Sequence, residues 1–331
     1  MTHSPTVRRF LSPLTPLYRA ALALREIRLR SGLEPTRRLK YPVISIGSLS
    51  SGGSGKTPLT IALAQAISQR GLNVDVLSRG YGRSSKAVLR VERNGDAAVF
   101  GDEPLLIARA SGVPVYVAAQ RYQAGLLAES AQESTTVHIL DDGFQHRQLH
   151  RDVNILLLDS RDLIDHLLPA GNLREPLSAM QRADVLAIPA NNFEIDGLLE
   201  RLEWRGPIWR LRRRMEVPSI AGPVVAFCGI ARSDQFFAGL EESGLHLASR
   251  IAFADHHRYD QHDLDCILEA ASSIKAAAVI TTEKDNVRLG KLAAAFPETC
   301  PLKTARLKVE IEDQDVALNW MLGRLSLSRK P

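Results

Sequence analysis

The chain has 331 residues, 45% of them hydrophobic and 24% charged, a balance ordinary for a soluble globular protein of two domains or one large one. Its three cysteines, Cys228, Cys266 and Cys300, have no close spacing. That excludes a cysteine metal motif and suggests reduced thiols in a cytoplasmic compartment. The net charge of +5 is unevenly spread.

Residues 1–40 carry Arg8, Arg9, Arg19, Arg25, Arg28, Arg30, Arg37, Arg38 and Lys40 against only Glu26 and Glu34, a net +7 that leaves the remaining chain near −2. Arginines interrupt the apolar series Phe10, Leu11, Leu14, Leu17, Tyr18, Leu22 and Leu24, and the longest apolar run, 20–24, is too short to span a bilayer or form a signal-peptide core. Two readings stand for residues 5–30. One is an amphipathic helix lying on an anionic membrane surface. The other is a helix packed on the protein with a solvated basic face. Nucleic acid is not expected, because no base-reading module follows, and no obligate protein partner is evident.

The segment Val43-Ile-Ser-Ile-Gly-Ser-Leu-Ser-Ser-Gly-Gly-Ser-Gly-Lys56-Thr57 has the form of a strand, a phosphate-binding loop and a helix start. Glycines let backbone N–H groups turn inward around phosphate oxygens, and the helix N-terminus adds partial positive charge. In this pattern Gly52, Gly53, Ser54, Gly55, Lys56 and Thr57 bind the nucleotide, Lys56 reaches the β/γ-phosphates and Thr57 holds Mg²⁺. The first glycine of the usual spacing is replaced by Ser50. The resulting Gly-Gly-x-Gly-Lys-Thr resembles the deviant loop of cell-division-positioning ATPases, whose signature lysine is here Ser51.

Further apolar runs predict strands at 43–46, 73–77, 88–91, 115–117, 137–140, 153–158 and 185–188, with helices at 57–70, 103–110, 120–131 and 194–202 between them. Strands that are apolar throughout are those of a buried parallel sheet, so the fold class is α/β, with a doubly wound, mostly parallel P-loop domain. Residues near 205–222 read as a connection. A second, smaller α/β unit follows, with strands at 224–228, 247–253, 277–281 and 304–311 and helices near 232–243, 262–275 and 314–323. The expected division is a basic lead-in over 1–40, a P-loop domain over 41–210 and a C-terminal domain over 211–331 that closes over the site.

Several residues carry chemistry. The strand 137–140 ends in Asp141 and Asp142, the form of a carboxylate pair that reaches Mg²⁺ downstream of a P-loop. Asp102, in Gly101-Asp-Glu-Pro104, reads on its own as a helix cap. Ser78-Arg-Gly-Tyr-Gly-Arg83 follows a parallel strand, where loops face the ligand, and reads either as a clamp for an anionic substrate or as a surface loop. His146 with His150, and Asp255-His256-His257 with His262, lack the pattern of a zinc site. A histidine beside Asp255 suits acid–base work or substrate contact. Thr282-Glu-Lys-Asp285 looks like a guanine-reading motif with its lysine one place late, and guanine specificity is not inferred.

Together, Gly-Gly-x-Gly-Lys-Thr-Pro58, Ser-Arg-Gly-Tyr-Gly-Arg83, Gly-Asp-Glu-Pro104, Asp-Asp-Gly-Phe-Gln-His146, Leu-Arg-Glu-Pro176, Phe-Ala-Asp-His-His257 with Tyr259, and Thr-Glu-Lys-Asp285 resemble the tetraacyldisaccharide 4′-kinase family. The resemblance implies ATP- and Mg²⁺-dependent phosphorylation of the 4′-hydroxyl of a tetraacyldisaccharide 1-phosphate, a lipid A precursor. It implies a peripheral, monotopic enzyme at the cytoplasmic face of the inner membrane. It also implies that Asp102, paired with His256 or else His257, deprotonates the hydroxyl, which reverses the simple cap reading. Lys56, Asp141 and Asp142 act at nucleotide and metal, while Arg79, Tyr81, Arg83, Gln145 and Glu175 lie near substrate. The alternative is a membrane-associated P-loop ATPase acting as a nucleotide switch. A third reading is a soluble metabolite kinase whose basic helix is structural.

Overall fold

The computed structural model describes residues 11–131, 137–190, 192–201 and 203–327. A basic helix, α1 (Thr15–Arg30), leads into a twelve-stranded sheet. The P-loop half of that sheet contains β1 (Val43–Ser48), β2 (Val74–Ser78), β3 (Leu89–Arg90), β4 (Val115–Val117), β5 (Val137–Leu140), β6 (Val153–Leu157) and β7 (Val185–Pro189). Its helices are α2 (Lys56–Gln69), the single turn α3 (Ala97–Phe100), α4 (Asp102–Ser111), α5 (Arg121–Ala131) and α6 (Phe193–Arg201). Then come β8 (Ile208–Glu216), β9 (Pro223–Cys228), α7 (Ser233–Glu242), β10 (His246–Ala252), α8 (Gln261–Ser273), β11 (Ala278–Thr282), α9 (Glu283–Leu289), β12 (Leu302–Ile311) and α10 (Gln314–Leu327).

The strand order is β10-β9-β11-β12-β8-β7-β6-β1-β5-β2-β4-β3. All neighbours run parallel except β12 with β8 and β3 with β4. β1, β2, β4 and β5 are buried along their whole length. Helices cover both faces, so these strands have no solvated side and are largely apolar, their few polar residues, such as Asp75 and His138, being buried. Ile44, Ile46, Leu59, Leu63, Leu105 and Ile107 fill one face; Leu77, Tyr116 and Leu140 fill the other. Each such side chain contributes roughly 1.5–3 kcal/mol of burial.

The expected connection near 205–222 holds β8, whose antiparallel register with β12 pairs Arg213 with Val309 and Leu211 with Ile311. Its alternation of arginines with Trp209 and Leu211 is that of a strand with one wet face, which the run of basic residues hid. The chain then doubles back at its end: α10 packs Leu318 and Met321 into the core of the P-loop half, and Arg70 ion-pairs with Asp315.

α1 has two faces. Tyr18 and Leu22 pack on the P-loop half, and the Tyr18 hydroxyl donates to the Arg174 carbonyl at 2.9 Å. Leu14, Leu17, Leu24 and Ile27 form a stripe on the other side, with Leu17 71% exposed. Arg8, Arg9 and Phe10 lie outside the described residues. Among the described residues no helix is long and apolar enough to cross a membrane.

Candidate active site

β1 delivers the chain to a loop that turns back into α2. Gly55 caps that helix with φ +88°, a left-handed conformation costly for any residue with a Cβ. Gly52 and Gly53 are left-handed as well. Residues 52–57 line a cleft of about 1310 Å³ between the two halves of the sheet. Lys56 Nζ lies 3.2 Å from Ser48 Oγ, 3.2 Å from Ser54 Oγ and 3.6 Å from Asp142 Oδ1. The lysine is thus folded back over its own loop, its cation held by a carboxylate.

Asp141 and Asp142 leave β5 beside the parallel β1, at the same C-terminal end of the strands as the P-loop. Asp141 is buried and accepts from Thr60 Oγ1 at 3.3 Å and Ser78 Oγ at 3.1 Å. Burial, with the nearby charges of Glu103 and Asp142, raises its carboxyl to about 7. Asp142 has φ +47° and takes both arms of Arg174, at 2.9 and 2.8 Å. Burial opposes its ionisation, but Lys56 and Arg174 outweigh burial and hold it well below the usual carboxylate range. The donors fit a magnesium ion: a threonine hydroxyl and two carboxylates are hard oxygen ligands, and the raised Asp141 is a carboxyl whose ionisation a divalent cation would favour. Among the described residues no group of three His, Cys, Asp or Glu side chains is gathered as for a protein-only metal cage.

The second cluster is assembled across the halves. Gly101, with φ +91°, caps α4, and a Cβ there would meet Gly80 Cα at 3.0 Å. These glycines let the loop after β2 press against the start of α4. Asp102 is therefore not the cap residue. Its Oδ1 accepts the Glu103 N–H at 3.0 Å, and its Oδ2 lies 3.2 Å from His256 Nδ1. His256 sits in the turn after β10 with φ +60°, an uncommon conformation for a non-glycine residue. The Tyr81 ring meets its imidazole edge-on, at 5.5 Å between centroids. His257, the other candidate partner of Asp102, is committed elsewhere: its Nε2 lies 2.7 Å from Asp263 Oδ2 and its ring stacks on Phe253. Burial opposes ionisation of Asp102, but His256, Lys284 and Arg288 together hold its carboxyl far below the ordinary value. His256 faces the cleft; Asp102 lies behind it, 7% exposed.

The remaining expected residues divide. Arg79, Tyr81 and Gln145 line the cleft. The Gln145 side-chain amide donates to the Ser48 carbonyl at 3.0 Å, and the Gln145 backbone carbonyl accepts from Arg25 of α1 at 2.6 Å. Arg83 folds over Gly80 and is not at the cleft wall. Glu175 is buried, away from the cleft, and pairs with Arg182, whose guanidinium covers the Phe144 ring. His146 lines the cleft; burial and the charges of Arg121, Arg151, Arg25 and Arg79 push its imidazole down to about 3.

Sequence reasoning missed the cations that reach in from the C-terminal half. Arg213 of β8 donates to the Ser54 carbonyl at 2.9 Å, and Arg232 lies over Gly53 and pairs with Asp159 at 3.2 Å. Lys284 pairs with Glu103 at 2.7 Å. Arg213 was concealed in the basic run read as a connection. Lys284 stands in the segment that looks like a guanine motif. In the structure that segment is a helix start: Thr282 caps α9 by accepting from the Asp285 N–H at 3.0 Å.

A strand-loop-helix phosphate cradle, a carboxylate pair at the neighbouring strand end and a carboxylate–imidazole pair across one cleft define a P-loop phosphotransferase. The comparisons name the kind. A model of the tetraacyldisaccharide-1-P 4′-kinase family matches residues 7–326. The tetraacyldisaccharide 4′-kinase of Koribacter versatilis is 41% identical over 323 residues, covering 94% of this chain and 98% of the relative. That of Geobacter metallireducens is 38% identical over 310 residues, covering 86% and 89%. The crystal structure of Aquifex aeolicus LpxK in complex with ATP superposes with a TM-score of 0.74 at 32% identity, covering 96% of this chain and 99% of that one. The chain belongs to the tetraacyldisaccharide-1-P 4′-kinase family.

Proposed function

We propose that this protein transfers the γ-phosphoryl group of ATP to the 4′-hydroxyl of a tetraacyldisaccharide 1-phosphate. The observation that carries this reading is the facing of two clusters across one cleft: the P-loop with Lys56 and the Asp141–Asp142 pair on one wall, and His256 backed by Asp102 on the other. Phosphoryl transfer needs positioning and charge neutralisation more than covalent chemistry. Backbone N–H groups of 52–57 and Lys56 hold the phosphates. Thr57, Asp141 and Asp142 would hold Mg²⁺, which supplies charge neutralisation when bound. Arg174 keeps Asp142 ionised and turned inward. The acceptor hydroxyl gives up its proton to the Asp102–His256 pair. With Nδ1 bridged to Asp102, Nε2 is the ring nitrogen left to accept it. Arg79, Tyr81 and Gln145 form the substrate wall. Residues 41–210 act as the kinase domain, with the returning helix α10 packed in its core, and the rest of 211–331 as a smaller domain that closes over it, with Arg213 and Arg232 meeting the loop.

The exposed apolar stripe on α1, flanked by Arg19 and Arg28, supports a peripheral seat on the anionic cytoplasmic face of the inner membrane. The same helix touches the cleft through Arg25, so the lipid-bearing surface and the catalytic groups are neighbours.

The test is incubation with γ-labelled ATP, Mg²⁺ and the purified lipid acceptor, followed by thin-layer chromatography. Label migrating with lipid supports the kinase. Protein-dependent release of inorganic phosphate with no labelled lipid would select the nucleotide-switch reading instead.

A further inference from the structure

Arg288, on α9, is 5% exposed at its side chain and touches both halves of the sheet. Its Nε and Nη2 donate to Asp102 Oδ2 at 2.8 and 2.6 Å, and Nη2 lies 3.3 Å from His256 Nδ1. Nη1, on the far edge of the same guanidinium, donates to Asp285 Oδ1 at 3.0 Å and to the Gly229 carbonyl. Asp285 is fully buried and held in turn by the Tyr259 hydroxyl at 2.9 Å, the Gly229 N–H at 3.0 Å and the Thr282 hydroxyl at 2.6 Å. A continuous chain therefore runs Asp285–Arg288–Asp102–His256, anchored in the C-terminal core and ending at the cleft.

We propose that Arg288 is a positioning residue for the reaction: it fixes the Asp102 carboxylate, ionised and correctly aimed, against His256. This rests on the kinase reading above and deepens it. Chemistry requires an arginine here. A planar guanidinium has donors on opposite edges and bridges two carboxylates at once; an ammonium is a point charge that serves one. Lys284, 4.0 Å from Asp102, adds charge without that geometry and is itself drawn to Glu103 at 2.7 Å. The groups facing Asp102 are thus His256, Arg288 and Lys284, with Glu103 on its own helix and Asp285 and Asp255 acting through Arg288. Thr282-Glu-Lys-Asp285 finds its use in this support: the threonine and aspartate anchor the arginine, and the lysine assists the carboxylate.

The experiment begins with wild-type lipid phosphorylation, which tests the kinase reading by itself. Arg288→Lys and Arg288→Ala are then compared for kcat, ATP affinity, thermal midpoint and pH profile. Misplacing a reacting group by about 1 Å costs ~10²-fold, so both Arg288 variants are expected to lose on the order of 10²-fold in kcat, with ATP affinity within about twofold. Removing the cation takes away a charge that holds the Asp102 carboxyl down, so the acid limb of the kcat/KM profile moves to higher pH. Arg288→Ala placed on Asp102→Asn is expected to cost little more, because the two act as a unit. Arg288→Lys with wild-type kcat and an unshifted acid limb, or fully multiplicative losses in the double variant, overturns the proposal. Where the Arg288 variants fail to fold because Asp285 is left buried and unpaired, Arg288→Gln combined with Asp285→Asn, which leaves no unpaired buried charge, takes their place: a loss in kcat with a raised acid limb supports the proposal, and wild-type kcat with an unshifted limb overturns it.

Discussion

The two walls of the cleft are built in different ways. The nucleotide wall comes almost entirely from one contiguous stretch, β1 through the start of α2, with the end of β5 alongside at fixed parallel register. The wall proposed to accept the proton is assembled from distant pieces: Asp102 opens α4, His256 follows β10, and Arg288 joins Asp102 across 186 residues. The first wall depends on local turn geometry, and only Arg213 and Arg232 reach it from the other half. The second exists only while the halves stay in register. Binding and chemistry are thereby separable by mutation.

The sharpest break is Asp102→Asn, which keeps size and backbone contact and removes the charge. A positioned base is worth ~10²–10⁴-fold, so kcat should fall by that much with ATP affinity nearly unchanged, while the thermal midpoint falls because the buried Arg288 loses its charged partner at 2.6 Å. His256→Ala on top should add little; a fully multiplicative loss would mean independent roles, and wild-type kcat in Asp102→Asn would move the base to another group, Asp141 first. Next is Lys56→Ala on the opposite wall. Loss of one preorganised charge contact to the transferring group costs roughly 10²–10³-fold. Here ATP binding should weaken together with turnover, because the cation faces phosphate rather than core. Near-normal kinase rates would remove the P-loop assignment.

A third measurement concerns stability, and it lies wholly in the P-loop half. His138 of β5 is buried between Asp75 at 2.7 Å and Glu129 at 3.4 Å. Burial lowers its pKa, but the two carboxylates outweigh burial and raise it to about 9 from 6.5. The folded state therefore binds the proton more tightly than the unfolded one. This stabilisation is complete below about pH 6.5 and is lost as pH rises through about 9. At ~1.4 kcal/mol per unit the effect is on the order of 3 kcal/mol. Denaturant midpoints at pH 6.5 and 9.5 should differ for the wild type and much less for His138→Gln. Equal pH dependence in the two proteins would exclude the imidazole as its source.

The smallest effect expected is at the membrane. Arg19→Gln and Arg28→Gln should each weaken binding to anionic vesicles by ~1 kcal/mol, about fivefold, and added salt should do the same. Arg25 is left out of this set because its guanidinium is bonded to the Gln145 carbonyl and faces the cleft. Flotation insensitive to both arginine substitutions and to salt would leave α1 as a packed structural helix.

The sequence alone determined the elements whose physics is local. β1, β2, β4, β5 and β7 were legible because a strand covered on both faces is dominated by apolar residues, and the phosphate loop because only glycine takes three left-handed turns so close together cheaply. The family resemblance rested on short motifs of this kind, and it paired Asp102 with a histidine without deciding between His256 and His257. The tertiary structure decided that: one histidine turns to Asp102, and its neighbour goes to Asp263. It also turned the 205–222 connection into β8, sent Glu175 to Arg182 away from the cleft, and brought Arg213, Arg232, Lys284 and Arg288 to the site. These arginines and this lysine carry no local pattern. An isolated cation in a sequence resembles any solvated surface charge, and its partner is fixed only when long-range strand pairing brings a buried carboxylate within reach.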